Sequence, residues 1–127
     1  MSSGLLLCDD LLFASRITGE ARALDLTVTP ARSLDQLLEL ARREAPSCVL
    51  IDLAFPGLVL ADLFRRLGEV CDPPPRVVAY GSHVDADGLR AARSAGCDPV
   101  LPRSKFVEEL PRALPQWLSA PPSPQEP

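Results

Sequence analysis

The sequence predicts an α/β fold, a doubly wound five-stranded parallel sheet with helices on both faces, and three observations carry that prediction. Five short apolar runs alternate with five segments whose apolar residues recur at helical spacing. Every connection between them is short, which with the right-handed crossover rule leaves the strands parallel in one sheet. One run, Cys48-Val49-Leu50-Ile51-Asp52, is apolar until it ends in a single carboxylate. A strand covered on both faces reads as continuous apolar sequence and has no routine place for an acid, so Asp52 must be paired or useful.

Residues 5–8 form the first strand, bounded by Gly4 and by the acids Asp9 and Asp10. Over residues 11–24, Phe13, Ile17, Ala21 and Leu24 mark one face of a helix that Gly19 weakens without ending. Residues 26–29 alternate apolar and hydroxyl side chains and stop at Pro30, as expected of a strand nearer an edge. Ser33 and Gln36 have capping-box spacing, and Leu34, Leu37, Leu38 and Ala41 stripe the helix they open, which Pro46 closes. After the Asp52 strand, Pro56-Gly57 forces a turn, and Leu60, Leu63, Phe64 and Leu67 mark a third helix with Gly68 near its end.

A stiff connector, Cys71-Asp72-Pro73-Pro74-Pro75, leads into a fourth strand over residues 76–80 that stops at Gly81-Ser82. Asp85 caps a fourth helix with Leu89 and Ala92 inward, and Gly96 supplies its left-handed stop. Val100-Leu101 is a short fifth strand. Ser104 can cap a last helix carrying Phe106, Val107, Leu110 and Leu118, in which Pro111 and Pro115 each remove a backbone donor, so a kink or restart is expected at Pro111. The domain spans residues 4–118, and the Pro-rich stretch 119–127 is expected to be a disordered tail.

Charge and composition narrow the function classes. At 127 residues the chain is one domain, and its net charge of −4 with no arginine-rich stripe argues against nucleic acid or an anionic membrane as partner. Met1-Ser2-Ser3-Gly4 carries no basic residue and the apolar run that follows is broken by Asp9, so neither a signal peptide nor a membrane span is predicted and a cytoplasmic location is expected. Cys8, Cys48, Cys71 and Cys97 make no C-x-x-C pair, which leaves no zinc or redox motif; Cys8 and Cys48 read as core, Cys71 and Cys97 as inert loop or helix-end thiols. His83 reads as a solvated loop histidine and Trp117 as cover for apolar surface. No phosphate-binding loop, nucleophile elbow or metal-binding histidine pair is present, so a conventional enzyme is not expected.

If the first and third strands are neighbours, Asp9 and Asp10 emerge beside Asp52 and bring three carboxylates to one sheet edge. Three anions need a counter-charge, and Mg²⁺ suits them because it takes oxygen ligands and keeps waters in its other positions. A carboxylate held there can attack phosphorus. Acids at a helix start also serve as caps, so Asp9 and Asp10 gain weight only from their coincidence with Asp52.

The order of elements, the Asp9-Asp10 pair and Asp52-Leu53-Ala54-Phe55-Pro56-Gly57 together strongly resemble the receiver domain of bacterial two-component response regulators, across residues 4–118. The resemblance implies a flavodoxin-like, stand-alone receiver in which Asp52 is the phosphoacceptor, Asp10 a direct Mg²⁺ ligand, Asp9 a ligand through water and the Ala54 carbonyl a further ligand. It implies a sensor histidine kinase or phosphotransfer protein upstream and a protein partner downstream. Where the family carries Thr or Ser after the fourth strand this chain has Gly81, with Ser82 one place later. The family lysine falls in register with Arg103, with Lys105 two residues on and neither followed by proline, and the switch aromatic falls on Val100. Ser82, Arg103 and Lys105 are therefore the candidates for binding a phosphoryl group. The same departures leave open a pseudo-receiver, a protein-binding module with no phosphorylation cycle, while a metal-dependent phosphohydrolase using Asp9 and Asp52 lacks a general acid.

Overall fold

A computed structural model describes residues 3–119, and its elements alternate throughout. They are β1 (Ser3–Leu7), α1 (Leu11–Ala23), β2 (Thr27–Ala31), α2 (Leu34–Glu44), β3 (Cys48–Asp52), α3 (Leu60–Val70), β4 (Arg76–Gly81), α4 (Ala86–Ala95), β5 (Val100–Pro102) and α5 (Arg103–Trp117). The five strands form one parallel sheet in the order β2-β1-β3-β4-β5. That order sets β1 and β3 side by side, with Leu7 opposite Ile51, and sets Asp52 opposite Tyr80 of β4.

Successive strand residues point to opposite faces, so each inner strand supplies both halves of the core. Leu5, Leu7, Val49, Ile51, Val77 and Ala79 pack with Leu37, Leu63, Leu67 and Leu89 of α2, α3 and α4. On the other face Leu6, Leu50, Val78 and Tyr80 meet Ile17 of α1 and Phe106, Leu110 and Trp117 of α5. Complete burial of a leucine or isoleucine is worth about 1.5–3 kcal/mol each, which makes these two layers the main source of stability. All four cysteines are buried, so Cys71 and Cys97 stand at helix ends as expected but inside the core.

The caps follow the local sequence. Ser33 Oγ accepts from the Gln36 N–H at 3.0 Å, and the Gln36 side chain accepts from the Arg32 N–H at 2.9 Å. Asp85 accepts from the Gly88 N–H at 3.0 Å, and Gly96 closes α4 at φ 117°, a conformation that favours glycine.

Three local expectations are corrected. β2 runs through Pro30 to Ala31, because β2 is an edge strand where a residue without an N–H is tolerated. α5 has no restart at Pro111: both prolines lie on its exposed side, while Phe106, Leu110, Leu114 and Trp117 bury one continuous stripe that holds the helix to the sheet. Ser104 is not the cap, because α5 begins one residue earlier at Arg103, with Pro102 in the N-cap position and no side-chain cap. Ser119 ends the described chain by donating its hydroxyl to the Pro115 carbonyl at 2.8 Å, and the rest of the expected tail, residues 120–127, lies outside the described residues. Among the described residues no helix is long and apolar enough to cross a membrane.

Candidate functional site

The carboxyl ends of β1, β3 and β4 meet at Asp52, a charged side chain in the core that is only 4% exposed. A buried carboxylate needs partners. Asp52 Oδ1 accepts the Ala54 N–H at 2.9 Å, a bond made within the turn that Pro56 and Gly57 enforce. Its Oδ2 faces two groups at 3.7 Å, the Cys8 thiol that donates to it and Nη2 of Arg103. Burial is the main cause that pushes the Cys8 thiol up from its ordinary value, so Cys8 stays a protonated donor.

Arg103 opens α5 and reaches back over α1. Its guanidinium carbon lies 4.6 Å from the centre of the Phe13 ring and 6.0 Å from that of Tyr80. Phe13, Tyr80 and Phe106 form a contiguous ring cluster, with centroids 5.1 Å and 4.4 Å from that of Tyr80. A planar cation on aromatic faces loses less freedom than a free side chain and gains quadrupole attraction, so Arg103 is held against Asp52 from two sides. The Tyr80 hydroxyl has no hydrogen-bond partner among the described residues; burial above all, with Cys8 and Asp52 acting in the same direction, pushes its phenol up.

The predicted metal ligands do not converge. Asp10 is the N-cap of α1, its Oδ1 accepting the Phe13 N–H at 3.1 Å, and both Asp9 and Asp10 are exposed. Among the described residues no group of three His, Cys, Asp or Glu side chains stands together as a metal site. In this arrangement Asp10 uses one carboxylate oxygen as a cap and keeps the other, while the guanidinium of Arg103 stands where a cation beside Asp52 Oδ2 would sit.

The phosphoryl-binding candidates separate as well. Arg103 is at the site, whereas Lys105 turns away to Glu108 at 3.4 Å and Glu109 at 3.5 Å on the exposed side of α5. Ser82 borders the site with its Oγ accepting the Val84 N–H at 3.3 Å. At Gly81 a Cβ would meet Leu53 Cδ1 at 3.2 Å and Leu53 Cβ at 3.3 Å, so leucine fills the space a hydroxyl-bearing side chain would need. Asp52 lies at the floor of a cleft of about 660 Å³, walled by Phe13 and Arg16 of α1, by Ser82 and His83 after β4, and by Arg103. Sequence reading missed Arg16 and gave His83 no part. Arg16 had one local signal, its three-residue spacing from Phe13, which puts both on one side of α1.

No family model matches this chain, and no curated protein matches it in sequence. Solved structures do match. A response regulator from Thermotoga maritima aligns at 18% identity and TM-score 0.77 over 94% of this chain and 99% of its own. A response regulator from Burkholderia pseudomallei, with a phosphorylated aspartic acid, calcium ion and citrate, aligns at 20% identity and TM-score 0.73 over 94% and 67%. The receiver domain of a Saccharomyces cerevisiae response regulator, in complex with a histidine phosphotransfer protein, aligns at 14% identity and TM-score 0.75 over 92% and 88%. The chain has the flavodoxin-like fold of response regulator receiver domains.

Proposed function

We propose that the chain is a receiver-type signalling module of the pseudo-receiver kind, acting through protein contacts with Asp52 locked to a resident cation. The observation that carries this reading is the Asp52–Arg103 pair at 3.7 Å, with Arg103 also seated on Phe13. Asp10 can keep its cap through Oδ1 while its other oxygen stays free, so it is at Asp52 Oδ2 that a metal would compete, with the guanidinium of Arg103. Leu53 supports the same reading, since its side chain stands where a residue at position 81 would carry a hydroxyl able to follow an added phosphate. A modification with no differential contact in two loop positions shifts no population. Leu11, Leu12 and Val84, exposed apolar residues at the same edge of the sheet, supply surface for a protein partner.

A second reading keeps Asp52 as phosphoacceptor for a histidine kinase or phosphotransfer protein. It is favoured by the open cleft above Asp52 and by what the Burkholderia and yeast structures contain. Titration with Mg²⁺ followed by backbone NMR separates the two. The pseudo-receiver leaves the amides of Asp10, Asp52 and Ala54 unmoved at millimolar metal; a joint, saturable shift of all three selects the phosphoacceptor.

A further inference from the structure

A second cavity lies at the carboxyl edge of the sheet and shares no lining residue with the cleft above Asp52. It sits between the start of α2 and the start of α3, over the end of β1 at Leu7. β1 and β3 are the strands between which the order of the sheet reverses, the place where open α/β sheets leave a crevice for a ligand. Leu7 and Leu63 form a buried floor, while Leu34, Phe55 and Leu58 line the space and stay only partly buried. Val59, also in the lining, is 61% exposed. Three apolar residues in one short loop exceed what a turn at Pro56-Gly57 needs, and they leave apolar surface together in one place. The volume is about 270 Å³; an apolar cavity of about 150 Å³ already admits a benzene ring, so a ring with a short arm fits here. The lining holds two charged side chains, Arg32 and Asp62. Asp62 is paired with Arg65, whereas Arg32 is exposed and makes no ion pair among the described residues, its backbone N–H alone being engaged by Gln36. The cavity is thus apolar with one unmatched cation.

We propose that this cavity binds a small monocarboxylic acid with an apolar body, the body against Leu34, Phe55 and Leu58 and the carboxylate on Arg32. A guanidinium presents two parallel N–H groups to the two oxygens of a carboxylate. One cation matches a monoanion and would leave a phosphate dianion half compensated. The apolar walls select against an acid with no body, and Arg32 selects against an amine of the same shape. The inference goes beyond the pseudo-receiver reading and does not depend on it, because neither Asp52 nor Arg103 lines the cavity. The two regions meet through the backbone: Ala54, whose N–H holds Asp52 Oδ1, directly precedes the lining loop, and the Phe55 N–H donates to the Asp52 carbonyl at 2.9 Å. A ligand packed on Phe55 would therefore steady the turn that holds Asp52.

The test is a titration of the full chain with phenylacetate, and separately with acetate and with benzylamine, followed by the amide shifts of Arg32, Leu34, Phe55, Leu58 and Val59. Saturable shifts are expected with phenylacetate at submillimolar to millimolar concentration, with acetate and benzylamine each at least about tenfold weaker. Loss of the charge-assisted fork in Arg32→Gln should weaken phenylacetate about tenfold. Arg32 is exposed and its backbone bond to Gln36 is kept, so that variant should fold. Arg43→Gln, the same change of charge near the far end of α2, should bind as the parent does. Absence of saturable shifts, equal affinity for acetate or benzylamine, an Arg32→Gln affinity equal to the parent's, or shifts confined to Ser82, His83 and Ser104 around the other cleft would each overturn the proposal.

Discussion

Gly81 and Leu53 form a pair whose coupling is open to direct measurement. A Cβ at position 81 would stand 3.2 Å from Leu53 Cδ1, 3.3 Å from Leu53 Cβ and 3.5 Å from Leu89 Cδ2. Carbon atoms in good contact stand about 3.5–4.0 Å apart, so even alanine asks Leu53 to give way, and threonine adds branch atoms to the same space. Overpacking of this kind costs about 1–3 kcal/mol, while replacing a strand glycine returns about 0.5–1 kcal/mol. Gly81→Thr should therefore destabilise by about 1–2 kcal/mol. Leu53→Ala, at a half-buried position, should cost about 1–2 kcal/mol alone, yet it opens the space threonine needs. The double variant should then be at least about 1 kcal/mol more stable than the two losses added together. Urea unfolding read by Trp117, the single tryptophan and 6% exposed, measures all four corners of the cycle under reducing conditions. Additivity within about 0.5 kcal/mol would refute the idea that Leu53 occupies the place of the missing hydroxyl.

The remaining expectations concern the ion pair, the thiols and the last helix. Arg103→Ala leaves Asp52 buried without its cation; because the arginine side chain is 44% exposed, the cost should be about 1–2 kcal/mol, less than for a fully buried pair, and adding Asp52→Asn should recover most of it. Equal urea midpoints for parent and Arg103→Ala would contradict the pairing. Burial pushes the Cys48 thiol up to about 12 and Cys97 up to about 11, from 9.0 when unfolded. Both folded values are raised, so their contribution is complete below pH 9.0 and falls as pH rises, by about 1.4 kcal/mol per pH unit for each thiol. A urea midpoint that stays flat from pH 8 to about 10 would count against that burial. Pro111→Ala restores a donor inside α5 at an exposed position and should raise stability by about 1–3 kcal/mol; an unchanged or lower melting temperature would mean that the proline fits the helix without cost.

What the sequence made legible was local. Ser33 with Gln36, Asp85 and Gly96 name the helix ends because a cap is decided within four residues. Asp52 stood out because an acid at the end of an apolar run has no packing explanation. Pro30 and Pro111 were misread because edge position and burial of the opposite helix face are tertiary facts that override local propensity. Within the site, Arg103 was reachable through its register, but not its seat on Phe13, nor Leu53 over Gly81, because each joins residues from distant elements with no shared local pattern. Asp9 and Asp10 illustrate the converse: the residues were at the expected edge, and capping, the local alternative for an acid at a helix start, took Asp10.

The pairing of Asp52 with Arg103 in place of a metal is tested most directly by incubating the chain with acetyl phosphate and Mg²⁺ and weighing the intact protein. The expected result is no added phosphoryl group in the parent, over times that fully label a competent receiver treated in parallel. A single labile phosphoryl group on the parent that Asp52→Ala abolishes would contradict it and make Asp52 a working acceptor.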